Sequence, residues 1–220
     1  ACRAAKLRQI TPEGYKTPSG VWQGGNVMRQ IIGGSSDKHS RQEMDLYETP
    51  AECTRALVEF MRWSGPSATR NLITWEPAAG NGAITRVFES YGHIVHSSDI
   101  VDRGWCQVRD FLECNPAHFS PMRLIVTNPP YSHAEEFIRH ALKFDTDAVA
   151  MLLKSTFWHA GKRLSLFNEH PPAYVLPLSW RPAMCPDRGH SGMMDFAWRV
   201  WRKNPPITQY KVLRKPDAVR

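Results

Sequence analysis

The chain has 220 residues, 42% hydrophobic and 22% charged, which leaves room for a core and excludes disordered, fibrous and coiled-coil classes. Lys and Arg number 28 against 21 Asp and Glu, a net charge of +7, and no run nears the roughly 18 consecutive apolar residues of a membrane helix. A soluble cytoplasmic protein with one folded domain and no membrane partner is expected.

Seven basic residues fall between Arg199 and Arg220 (Arg199, Arg202, Lys203, Lys211, Arg214, Lys215 and Arg220), with Asp217 as the one acid. That bias favours a polyanionic partner such as nucleic acid. The five cysteines are scattered without C-x-x-C spacing, as expected of free thiols in a reducing compartment. The nine histidines do not cluster with carboxylates at ligand spacing, so no metal site is expected.

In chain order, residues 1–45 mix Gly, Ser, Pro and charge and read as a loosely ordered arm. Thr49-Pro50-Ala51-Glu52 starts a helix, with Thr49 as N-cap and Glu52 closing a capping box; Cys53, Leu57, Phe60 and Met61 follow at helical spacing. Asn71–Trp75 reads as a buried strand, left through the loop Glu76–Gly82. Ile84, Val87 and Phe88 mark a helix stopped by Gly92. His93–His96 forms a second strand ending at Ser98-Asp99, and Leu124–Thr127 a further strand ending at Asn128. Phe137, Ile138, Ala141 and Leu142 give another helix. Asp147–Leu153 is a strand, Lys162–Asn168 a short helix, and Ala173–Leu176 extended. Met194, Phe196, Trp198 and Val200 alternate with Asp195, Ala197 and Arg199 as in a strand. The folded domain is set at 46–204, with 205–220 as a basic tail.

Strands alternating with helices predict an α/β fold, a mostly parallel sheet covered on both faces with ligands at the carboxyl ends of its strands. The loops after Trp75, His96 and Thr127 are therefore the informative ones. Gly80-Asn81-Gly82 lets backbone approach a ligand, and a carboxylate at Asp99 suits the two hydroxyls of a ribose. The sharpest signal is Asn128-Pro129-Pro130-Tyr131. Its two prolines stiffen the strand exit and remove two N–H donors. The Asn128 side-chain oxygen and the Pro129 carbonyl then make an acceptor pair for one exocyclic amino group, with Tyr131 offering a flat face to the ring that bears it.

On these residues the chain resembles the S-adenosylmethionine-dependent amino-methyltransferases, most of all the DNA adenine-N6 group and its compact phage and prophage members. The resemblance runs from about Tyr47 to Lys203. It implies a Rossmann-like class I methyltransferase fold with a seven-stranded sheet. It implies that Tyr47, Thr49 and Pro50 touch the methionine end of the cofactor, that Glu76, Pro77, Ala78, Gly80 and Gly82 form the cofactor loop, and that Asp99 and the adjoining Ile100 hold the ribose region. Asp110 and Phe111 resemble the pair that reads and packs the cofactor adenine. Asn128–Tyr131 resembles the catalytic tetrapeptide, and Phe196 or Trp198 the second aromatic against the target base.

The implied activity is methyl transfer from S-adenosylmethionine to adenine N6 in DNA. Only 24 residues follow Phe196 and the Phe157–Gly192 stretch is short, so relaxed sequence specificity is expected. Two other readings stay open at this point: an RNA adenine-N6 or guanine-N2 enzyme, and a non-catalytic nucleic-acid-binding partner that keeps the fold.

Overall fold

Runs of apolar residues too short for helices and too continuous for a half-exposed strand dictate the centre of the molecule. Leu124–Thr127 is buried at every position and Ala148–Leu153 likewise, the signature of strands covered on both faces. In the computed structural model the described residues are 47–64, 72–119, 122–184, 192, 194–203 and 207–217. All lie within the unit Gln42–Arg220; the arm expected over 1–45 lies outside the described residues.

The strands are β1 (Ile73–Glu76), β2 (Ile94–Asp99), β3 (Gln107–Val108), β4 (Leu124–Thr127), β5 (Ala148–Lys154), β6 (Tyr174–Pro177), β7 (Phe196–Arg202) and β8 (Gln209–Tyr210). They form one sheet in the order β3-β2-β1-β4-β5-β7-β6-β8. Strand β7 runs antiparallel to both its neighbours and the other pairings are parallel. The helices are α1 (Ala51–Ser64), α2 (Ala83–Ser90), α3 (Ala134–Ala141) and α4 (Leu164–Glu169).

Alternate residues of the central strands feed two cores. Leu124, Ala150, Leu152 and Trp198 pack with Leu57 of α1 and Phe88 of α2 on one face. Ile125, Val149, Met151 and Trp201 pack with Ile138 of α3 and Leu166 of α4 on the other. At about 25 cal/mol per Å2 of buried apolar surface, these two layers supply the main drive to fold.

The sheet has eight strands where the resemblance implies seven. Residues 207–217, assigned by sequence to a basic tail, return to the sheet: β8 pairs with β6, and Leu213, buried, bridges to Leu178. Extension of the sheet ladder here satisfies backbone groups, with Gln209, Lys211 and Leu213 N–H groups donating to Ala173, Val175 and Pro177. Strand order reverses between β1 and β4, which opens a crevice at their carboxyl ends. Glu76 leaves β1 and Asn128 leaves β4 at that point.

Candidate active site

The loop after β1 turns through two left-handed glycines, Gly80 at φ 52° and Gly82 at φ 79°, a backbone that L side chains adopt only with strain. The Ala79 N–H donates to the Ser98 carbonyl at 2.9 Å, tying the loop to β2. The Gly80 N–H donates to Asp99 Oδ2 at 2.7 Å and the Val101 N–H to Asp99 Oδ1 at 2.9 Å. A carboxylate has about four acceptor positions, so Asp99 retains capacity for further donors. The Arg103 guanidinium lies 3.8 Å from Oδ1. Ile100, next in the chain, leaves an aliphatic side chain 57% exposed beside this carboxylate.

Glu76 lies beneath the loop. Burial first of all, with help from the nearby Asp99 carboxylate, pushes its carboxyl up to about 8, although the Thr85 hydroxyl donates to it. Thr85 in turn bonds Ser97 Oγ at 2.7 Å. Pro77 is buried and Ala78 half-buried in the turn itself. A cleft of about 460 Å3 opens beside the loop between the start of α1 and α2, lined among others by Glu48, Thr49, Pro50, Glu52 and Arg86.

Across the crevice, the Asn128 Nδ2 donates to the Tyr47 carbonyl at 3.2 Å. A carbonyl only accepts, so this bond fixes which way the amide faces. Asn128 Oδ1 is thereby the other atom, buried and with no hydrogen-bond partner among the described residues. Pro129 is buried and Pro130 half-buried, and the Pro130 carbonyl accepts the His133 N–H at 3.0 Å, closing the turn into α3. The Tyr131 ring stacks on Tyr47 with centroids 5.0 Å apart. The Lys154 ammonium sits 4.0 Å from its centroid and the Phe196 ring 6.3 Å away.

The structure thus brings together Tyr47, Asn128, Tyr131 and Phe196 on one side and Glu76, Gly80, Asp99 and Ile100 on the other. Two expected residues stand elsewhere. Trp198 is fully buried, its indole N–H donating to the Cys53 carbonyl at 2.8 Å under α1, so it meets no base. Phe111, 2% exposed, packs between Trp75 and Phe137; it supports Asp110, whose carboxylate caps the Leu112 N–H at 2.9 Å, and offers no ring to a ligand.

Two residues escaped sequence reading. Trp105 donates its indole N–H to the Gly80 carbonyl at 3.0 Å, and a Cβ on Gly82 would come within 2.9 Å of the indole. A lone Trp in a polar loop gives no sequence signal. Lys154 did carry one: a cation ending a buried strand at the end where ligands bind.

No protein-family model and no curated protein sequence matches the chain. Solved structures do. The methyltransferase subunit of a type I restriction-modification system from Streptococcus thermophilus superposes with a TM-score of 0.61 at 12% identity, over 84% of this chain and 50% of that one. The EcoKI M protein gives 0.54 at 13% identity, over 84% and 52%. A protein from Pyrococcus horikoshii predicted to be an RNA methyltransferase gives 0.58 at 15% identity, over 81% and 97%. The chain has the class I methyltransferase fold. It spans about half the length of the restriction-modification subunits. In the class I order the site described above falls at the switch between β1 and β4. Among the described residues no helix is long and apolar enough to cross a membrane, and no three His, Cys, Asp or Glu side chains group as metal ligands.

Proposed function

We propose that the chain transfers the methyl group of S-adenosylmethionine to the exocyclic N6 of adenine in DNA, with little sequence preference. One observation carries the reading: Asn128 Oδ1 is a buried acceptor without a donor among the described residues, oriented by the Nδ2 bond to Tyr47. A buried acceptor left unpaired costs about 1–3 kcal/mol, and an incoming amino group removes that cost.

The residues fit the cofactor. Asp99 keeps acceptor capacity for ribose hydroxyls, Ile100 presents an apolar surface to an adenine ring, and Gly80 and Gly82 bring backbone close to the nucleoside. Glu76 and the cleft beside Thr49 and Pro50 would receive the ammonium and carboxylate of methionine, the buried Glu76 carboxyl and the cleft beside it supporting that reading. The cofactor supplies an electrophilic methyl on a sulfonium.

An adenine amino lone pair is delocalised into the ring. Hydrogen bonds from that amino group to Asn128 Oδ1 and the Pro129 carbonyl favour a pyramidal nitrogen with its lone pair free for in-line attack; the N–C bond would form as the methyl–sulfur bond breaks, and one amino proton would pass to solvent. Fixed dipoles and positioning supply the acceleration. Reaching N6 in a duplex requires extruding the base, and the half-buried rings of Tyr131 and Tyr47, backed by the buried Phe196, offer stacking partners near Asn128.

RNA is the second reading, favoured by the Pyrococcus horikoshii neighbour, whose length this chain spans almost fully. Incubation with tritiated S-adenosylmethionine and either duplex DNA or total RNA, followed by mass spectrometry of the nucleosides, decides between them. N6-methyladenine in DNA supports the proposal; label confined to RNA refutes its substrate, and no label in either refutes the transfer.

A further inference from the structure

Among the described residues, Arg199 is an unusual charge. It sits in β7 facing the second core, fully buried, a placement that charged residues take only when paired. Among the described residues no carboxylate pairs with it. Its two terminal nitrogens share the Lys154 carbonyl at 3.5 Å, and its Nε has no partner among the described residues. Aromatic faces surround the rest, Trp158 at 4.5 Å and Phe157 at 5.6 Å.

A second guanidinium adjoins it. Arg163 lies 4.1 Å from the centroid of the same Phe157 ring and donates from one terminal nitrogen to the Phe157 carbonyl at 2.9 Å, while its Nε is buried without a hydrogen bond among the described residues. Glu135 approaches Arg163 no closer than 4.0 Å, and it also serves Arg139 at 3.2 Å, which takes Glu169 as well at 3.0 Å. Three guanidiniums therefore face two carboxylates, and the uncompensated charge falls on Arg199. Desolvation, with the Arg163 charge behind it, pulls Arg199 down to about 9.

Two adjacent cations with unused buried N–H donors want an oxyanion. We propose that Arg199 and Arg163 form a phosphate site that grips the backbone of the bound nucleic acid beside the target nucleotide. The inference rests on the nucleic-acid reading above. Lys154, whose carbonyl Arg199 holds, is the residue whose ammonium covers Tyr131, so the pair flanks the base-binding end of the sheet. Trp158, 37% exposed, is the group around Arg199 most open to solvent, and Arg163 is itself partly exposed. A phosphate arriving on Arg163 reaches Arg199 by displacing Trp158. Arg is suited to this because its fork of donors binds phosphate bidentately.

The test uses the full chain with Arg199→Met and Arg163→Gln. Replacing an unpaired buried charge with an apolar side chain of similar length removes the desolvation cost of that charge, and Arg163→Gln alters a partly exposed side chain, so the two variants back each other. Thermal unfolding is followed in inorganic phosphate and in chloride of equal ionic strength. Binding of a fluorescein-labelled duplex is followed by anisotropy from low to high salt. The expected result is loss of the phosphate-specific rise in Tm in both variants, about tenfold weaker duplex binding, and a salt slope reduced by about one. Unchanged Tm shift, affinity and slope overturn the site and leave Arg199 as a brace for Lys154. Stabilisation by acetate or an acidic peptide but not by phosphate also overturns it, in favour of a protein carboxylate. If wild type grips duplex through the pair but methylates no nucleic acid, the phosphate site stands and the transferase reading falls.

Discussion

Replacing Glu76 with Gln is expected to stabilise the ligand-free protein in alkaline solution and to flatten its pH dependence. The carboxyl titrates at about 8 in the folded state against 4.5 as its ordinary value. Between those limits the folded chain keeps a proton that the unfolded chain releases. Stability therefore falls as pH rises through this window. At about 1.36 kcal/mol for each tenfold difference in proton affinity, the effect is of the order of several kcal/mol, fully lost above pH 8. Gln keeps the shape and the acceptor for the Thr85 hydroxyl but has no proton to lose. Urea unfolding followed by circular dichroism at pH 5 and pH 8.5 measures the difference. Wild type should lose several kcal/mol more than the variant over that interval. An equal loss in both proteins would show that Glu76 is not the group held protonated by burial.

Other outcomes follow from the same geometry. If the methionine ammonium pairs with Glu76, binding of S-adenosylmethionine near pH 7 should release a proton, visible as a dependence of the calorimetric enthalpy on buffer ionisation; buffer-independent heats would contradict it. Asp99→Ala should weaken cofactor binding by about 2–4 kcal/mol through loss of two charge-assisted hydrogen bonds, and unchanged calorimetric affinity would remove Asp99 from the site. Asn128→Ala should lower kcat by roughly two orders of magnitude or more, by analogy with loss of one oxyanion donor, with cofactor affinity nearly constant; wild-type turnover would defeat the amino-transfer reading. Trp198→Ala should cost about 3–5 kcal/mol of stability as a buried large-to-small change, while KM for nucleic acid holds in the folded fraction.

The β–α alternation and both halves of the crevice were legible because they rest on strong local signals. Leu124–Thr127 and Ala148–Leu153 are continuous apolar runs, and two prolines behind Asn128 stop a strand whatever surrounds them. Strands β3 and β8 were not legible, since two exposed residues paired on one side leave no hydrophobic period. Strand β7 was found but its faces were not. The alternation of Phe196, Trp198 and Val200 with Ala197 and Arg199 reads as one inner and one outer face, yet β5 and β6 flank it and α1 and α4 lie on opposite sides, so Arg199 is buried with the rest. The excess of positive charge near the end shows the same limit. Lys203 pairs with Asp145 and Lys215 lies 3.9 Å from Glu52, distant partners that a count along the chain does not see.

The grip of Tyr47 on Asn128 has a bearing on how the site tolerates change. The amide is turned by a main-chain carbonyl, which every residue at position 47 would supply, while the ring at that position stacks on Tyr131. Orientation of the acceptor is thus insulated from substitution there, and the shape of the aromatic pocket is not. Position 47 can be randomised in a library selected for a different amino-bearing ring without disarming Asn128. A deletion within Glu48–Pro50, which would drag the carbonyl away, is the lesion that such a library must avoid.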